Sequence, residues 1–120
     1  METFRFKKLD VWQLGRNLVK DIYIVTKSFP QDERYALIDQ LRRAAVSVPS
    51  NIAEGSARRS TADFIHFLSM ARGSLAEIYT QIILAKDLSY VEDISRFELA
   101  VEELGLKLNA LIASLKARDL

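Results

Sequence analysis

The chain has no cysteine and a single histidine in 120 residues. That excludes disulfides, thiol catalysis, iron–sulfur clusters and structural zinc, all of which need several thiolate or imidazole groups. Only two prolines and four glycines occur, while 49% of residues are hydrophobic. So little turn chemistry beside so much apolar content argues against a turn-rich β fold and against disorder. No run of 18 apolar residues exists, so no helix is expected to span a membrane. Residues 1–8 are polar and lack the apolar stretch of a signal peptide. A cytoplasmic location is the expectation, consistent with the missing cysteines. An excess of one charge is absent too: 17 Lys and Arg face 16 Asp and Glu, a net charge of +1. Bulk charge therefore names no partner. The length suits one domain spanning residues 1–120, with roughly two-thirds of its unfolded surface buried.

What is present is helical periodicity. Over residues 10–28, Val11, Leu14, Leu18, Ile22 and Val25 recur at three- and four-residue steps, one face of an amphipathic helix. Asp10 with Gln13 suggests a capping box, Leu9 with Leu14 a staple, and Phe29-Pro30 a stop. A second helix is predicted over 33–54, with Asp32 as cap, Gly55 as stop and Leu37, Leu41, Ala44, Val48 and Ile52 facing inward. Pro49 lies inside this pattern and predicts a kink. Ser60 and Asp63 open a third helix over 60–88, and Ser89 and Glu92 a fourth over 89–116. The fourth has a clean 3-4 seam of Ile94, Phe97, Val101, Leu104, Leu108, Leu111 and Leu115, which predicts near-parallel packing. Short connections make successive helices antiparallel neighbours. The predicted fold is all-α: an up-down-up-down antiparallel four-helix bundle with a kinked second helix.

The third helix has too few polar residues for a single bundle. Its inner stripe is Phe64, Leu68, Ala71, Leu75, Ile78 and Ile82, yet Ile65, Tyr79 and Ile83 form an adjoining apolar strip. The other flank carries Met70, Gly73 and Leu84. A helix apolar around most of its circumference is covered on more than one side, which points to self-association. Scattered apolar residues on an ordinary surface are the competing explanation.

Charge is unevenly placed. Residues 1–60 hold eleven Lys and Arg against seven Asp and Glu, and residues 61–120 hold six against nine. Bundle topology gathers Arg5, Lys7, Lys8, Arg58, Arg59, Lys116 and Arg118 at one end. Phe4 and Phe6 interleave with the basic arm, as base stacking requires. Such an end can hold a phosphate backbone, RNA or DNA, through Lys7, Lys8, Arg58 and Arg59, with Arg42 and Arg72 added if they face a channel. The alternative is that these cations complement helix dipoles and favour solubility. On the second helix, Asp39, Arg43, Ser47, Ser50 and Glu54 share one strip, either a solvated face or a polar seam between subunits. Asn51 and Glu54 are candidates to bond across such a seam.

Catalysis and metal binding find little footing. Di-iron bundles need two Glu-x-x-His motifs, and one His, in the setting Asp63-Phe-Ile-His66, cannot provide them. A nucleophilic triad would need that same His66, and no Gly-rich phosphate loop occurs. No catalytic residue, metal or cofactor is expected.

Three stretches carry a likeness: Leu9-Asp10-Val11-Trp12-Gln13, the run from Gln40-Leu41-Arg42-Arg43-Ala44 through Pro49-Ser50-Asn51-Ile52-Ala53-Glu54-Gly55, and Phe67-Leu68-Ser69-Met70-Ala71-Arg72-Gly73-Ser74-Leu75-Ala76-Glu77. Together they resemble the bacterial four-helix bundle family named for intervening sequences in 23S ribosomal RNA genes. The resemblance implies an all-helical homopentamer. It also implies similarity to the accessory protein of diversity-generating retroelements, a basic pentamer that binds nucleic acid and a reverse transcriptase. The resulting expectation is a non-enzymatic, oligomeric RNA-binding accessory protein. The alternative is a scaffold for a protein partner. Ile65, Gly73, Tyr79, Ile83, Asn51 and Glu54 are the candidate subunit contacts.

Overall fold

Each periodic stretch is a helix in the computed structural model of the chain, which describes residues 3–118. The helices are α1 (Asp10–Thr26), α2 (Leu37–Ser56), α3 (Thr61–Asp87) and α4 (Ser95–Arg118), and the described residues contain no strand. Short 3-10 turns at Phe6–Lys8 and Gln31–Glu33 lead into α1 and α2.

Cross-helix contacts fix the topology. Asp10 pairs with Lys107 at 3.0 Å and Asp21 with Arg96 at 2.8 Å, so numbering falls along α4 as it rises along α1. The same inverse register links α3 to α4 through Arg72–Asn109 and Tyr79–Glu98. It links α2 to α3 through Gln40–Gln81 and Ser47–Ser74. For α1 and α2 it is set by Arg42 against Thr26 and by Gly15 against Val48 and Pro49. All four neighbouring pairs are antiparallel, giving an up-down-up-down bundle of 48 × 25 × 20 Å. Its axis is filled by Ile22, Leu41, Ile52, Leu68, Ile78, Ile82, Leu104 and Leu108, all essentially without solvent contact. In α4 the deep position beyond Leu108 is Ile112, with Leu111 half-buried beside it.

Several boundaries differ from the sequence expectation. Leu9, not Asp10, occupies the cap position of α1 and offers no side-chain bond. The Asp10 carboxylate turns to Lys107, and the Gln13 amide donates to the Lys7 carbonyl at 3.0 Å. Helix α2 starts at Leu37 because residues 31–33 wind more tightly, and Glu33 rather than Asp32 accepts a bond from the Leu37 N–H at 3.4 Å. The helix runs as one element through Pro49 and past Gly55 to Ser56. Gly55 is a close-packing residue, not a stop: a Cβ there would lie 2.7 Å from Phe67 Cβ and 3.0 Å from Phe64 Cδ1. It lets α2 and α3 converge where their chain reverses. Ser60 caps α3 as expected, its hydroxyl accepting from the Asp63 N–H at 3.1 Å.

Ser89 does not cap α4. It takes φ 64° at the end of α3, where the Ser89 N–H reaches the Lys86 carbonyl and the Tyr90 N–H reaches Ala85, both at 2.9 Å. This is the left-handed termination usually given to glycine. Helix α4 begins at Ser95 instead, with Asp93 accepting from the Ser95 N–H at 2.9 Å and from its hydroxyl. Those two bonds, the side-chain one first, hold the Asp93 carboxyl below its usual range.

Candidate nucleic-acid interface

The N-terminal arm is locked to the bundle by its aromatic rings. Phe6 packs against Trp12 with centroids 4.9 Å apart, and Phe4 lies 6.2 Å from Phe6, largely exposed. The following 3-10 turn contacts both α1 and α2, which places Lys7 and Lys8 beside the α2–α3 reversal carrying Arg58 and Arg59. A hollow of about 280 Å³ opens between the arm, α2 and the end of α4, lined by Arg5, Lys8, Leu9, Ser56, Phe64, Leu111, Leu115 and Arg118. Arg58 is held in place by an ion pair with Glu54 at 2.9 Å and by stacking 4.8 Å from the Phe67 ring. Arg59 is exposed in the turn before α3.

Four of the six candidate cations, Lys7, Lys8, Arg58 and Arg59, thus share one end. The other two do not. Arg42 sits between α1 and α2 towards the far end, donating to Thr26 Oγ1 at 2.9 Å with its guanidinium 4.6 Å from the Tyr23 ring. Arg72 reaches across to α4 and donates to Asn109 Oδ1 at 2.7 Å.

The candidate subunit contacts are also dispersed. Ile65 and Tyr79 are half-buried against their own bundle, and the Tyr79 hydroxyl donates to Glu98 at 3.3 Å. Burial, then the Glu98 carboxylate, raises the Tyr79 pKa. Ile83 and Gly73 face outward, and a Cβ at Gly73 would meet nothing within 4 Å. Asn51 donates to the Ser47 carbonyl at 2.8 Å, and Glu54 is engaged by Arg58. On the polar strip of α2, Arg43 pairs with Asp39 at 3.0 Å, while Ser47 turns inward to Ser74 at 2.5 Å.

His66 is exposed on α3 with its ring beside Phe67. Among the described residues no three His, Cys, Asp or Glu gather as a metal site would require, and no helix is long and apolar enough to cross a membrane. Two features escaped the sequence reading. Trp12 carries Arg16 at 5.5 Å from its ring, which makes the α1–α2 side a second cationic, aromatic surface. Leu99 and Leu106 of α4 are 73% and 69% exposed. Their seven-residue spacing, repeated at Ala113, is the signal that could have revealed a second seam.

Among curated proteins none matches the chain. The model of one family, described as 23S rRNA-intervening sequence protein, matches residues 7–110, from the basic 3-10 turn to the third turn from the end of α4. That span contains all three sequence stretches singled out above and most of each helix, so the chain belongs to the 23S rRNA-intervening sequence protein family.

Proposed function

We propose that the protein is a non-enzymatic, oligomeric accessory protein that binds RNA through the basic end of its bundle. The observation that carries this reading is the charge balance there. Among the described residues Arg5, Lys7, Arg58, Arg59, Lys116 and Arg118 outnumber the carboxylates of Asp10, Glu54 and Asp63 at this end. Asp10 is occupied by Lys107, and Glu54 neutralises only Arg58. Exposed Phe4 beside Phe6 supplies a stacking surface next to these cations, the combination that holds single strands without sequence preference. The family's name, which ties it to sequences intervening in 23S rRNA, lends a second support. Association of copies multiplies the effect, because linked weak sites act at high effective concentration.

The test is a salt titration of binding to mixed-sequence single-stranded RNA. With about four phosphates held per site, log K falls with log salt at a slope of about −3. Arg58→Glu with Arg59→Glu should weaken binding at least tenfold and flatten that slope. No affinity of the unaltered protein at low salt overturns the reading. Undiminished affinity in the double variant overturns the assignment of this end, and a co-purifying protein partner would then favour a scaffold.

A further inference from the structure

Helix α4 has two apolar faces. The inner one fills the core; the outer one is Leu99, Leu106, Ala110 and Ala113, of which the two leucines are the most exposed apolar side chains of any helix. Glu102 and Glu103 flank it, both exposed, and neither takes part in an ion pair among the described residues. An outer seam that is both apolar and acidic has no counterpart in its own bundle.

Its complement lies on the α1–α2 side. There Trp12, Val19, Val46 and Pro49 floor an almost wholly apolar groove of about 270 Å³, and Arg16 and Lys20 line its α1 rim. Asp10 and Asp21, the acidic residues of α1, are both turned away to Lys107 and Arg96. The α2 rim contributes Ser50 and no carboxylate. The rim is therefore positive over an apolar floor, where the α4 strip is negative beside apolar ridges. The dimensions agree as well: Leu99 to Leu106 and Trp12 to Val19 are each seven residues apart, about 10.5 Å of helix rise.

We propose that the outer face of α4 in one copy docks into the α1–α2 groove of a second copy, leucines on the apolar floor and Glu102 and Glu103 against Arg16 and Lys20. The two surfaces differ, so the contact is heterologous: each copy offers both, and repetition closes a ring or extends a filament. This inference rests on the self-association in the proposed function and is independent of RNA binding.

Three variants test it by sedimentation at micromolar concentration, with circular dichroism as the check on folding: Leu99→Asp with Leu106→Asp, Glu102→Arg with Glu103→Arg, and Arg16→Glu with Lys20→Glu. The unaltered protein should sediment as an oligomer and each double variant as a monomer, with association weakened at least tenfold. An equimolar mixture of the two charge-reversed proteins should regain association, because every junction between unlike copies is again complementary. In an odd-membered ring one junction between like copies stays mismatched, so recovery is then partial. These reversals decide the matter if the aspartate variant fails to fold. An oligomer whose mass survives all the substitutions overturns this interface while leaving self-association intact. A monomeric unaltered protein overturns both, and RNA affinity measured on the same samples reports separately on the basic end.

Discussion

Gly55→Ala adds one methyl group where α2 and α3 come together. The new carbon would stand 2.7 Å from Phe67 Cβ, 3.0 Å from Phe64 Cδ1 and 3.3 Å from the Phe64 carbonyl oxygen. A β carbon moves only with its helix, so rotamer changes cannot relieve the first contact, and α3 must shift against α2. Forcing an extra carbon into a packed site costs about 1–3 kcal/mol, and this rigid contact puts the cost near the upper value. Better helix propensity returns about 1 kcal/mol. The net expectation is a loss of about 1–2 kcal/mol, or roughly 4–8 °C in Tm for a chain of this size. Gly73→Ala is the matched control. It makes the same substitution in a helix interior where the added carbon meets nothing within 4 Å, so it should stabilise by about 1 kcal/mol. Urea unfolding followed by circular dichroism, at one protein concentration because association shifts apparent stability, measures both. If Gly55→Ala proves as stable as Gly73→Ala, the close approach of the two helices is not what selects glycine there.

Ser89→Gly should stabilise by about 0.5–1 kcal/mol, since a left-handed backbone strains a residue with a β carbon; a loss in thermal unfolding would refute this. The Tyr90 pKa is raised, first by its hydrogen bond to Glu33 and then by burial. Its contribution is therefore complete below the unfolded tyrosine pKa of about 10 and is lost as pH rises through the higher folded value. Tyr90→Phe should flatten the alkaline limb of a stability–pH profile. Asp93 behaves in the opposite sense: its lowered pKa gives stability above the unfolded carboxyl range, lost as pH falls through the folded value. Asp93→Ala should lower stability at neutral pH and shrink the acid limb.

The inner faces of the helices were legible because periodicity registers burial directly: Leu18, Leu41, Leu75 and Leu104 fall where the pattern puts them. Helix ends were less legible, because a capping residue is chosen by backbone geometry that several neighbours can satisfy. Ser60 satisfied it locally, whereas the Asp10 carboxylate was drawn to Lys107, 97 residues away in sequence. Gly55 carried two readings, helix stop and close contact, and only the position of Phe67 separates them. At the candidate site, topology alone places Lys7 near Arg58. The sequence could not show that Arg42 would stack on Tyr23 or that Arg72 would reach Asn109, since both depend on the rotation of neighbouring helices.

The two ends of the bundle are fastened differently. At one end the Tyr90 hydroxyl donates to Glu33 at 2.7 Å and its ring lies 5.5 Å from Phe29, a clasp between the two connecting loops. At the other end one chain reversal joins α2 to α3, and the arm packs on the bundle through Phe6 and Trp12. The clasp uses no residue of the cationic tip. Charge reversal at that tip therefore leaves the fastening of the far end intact, and the helices keep their register while the tip's charge is varied.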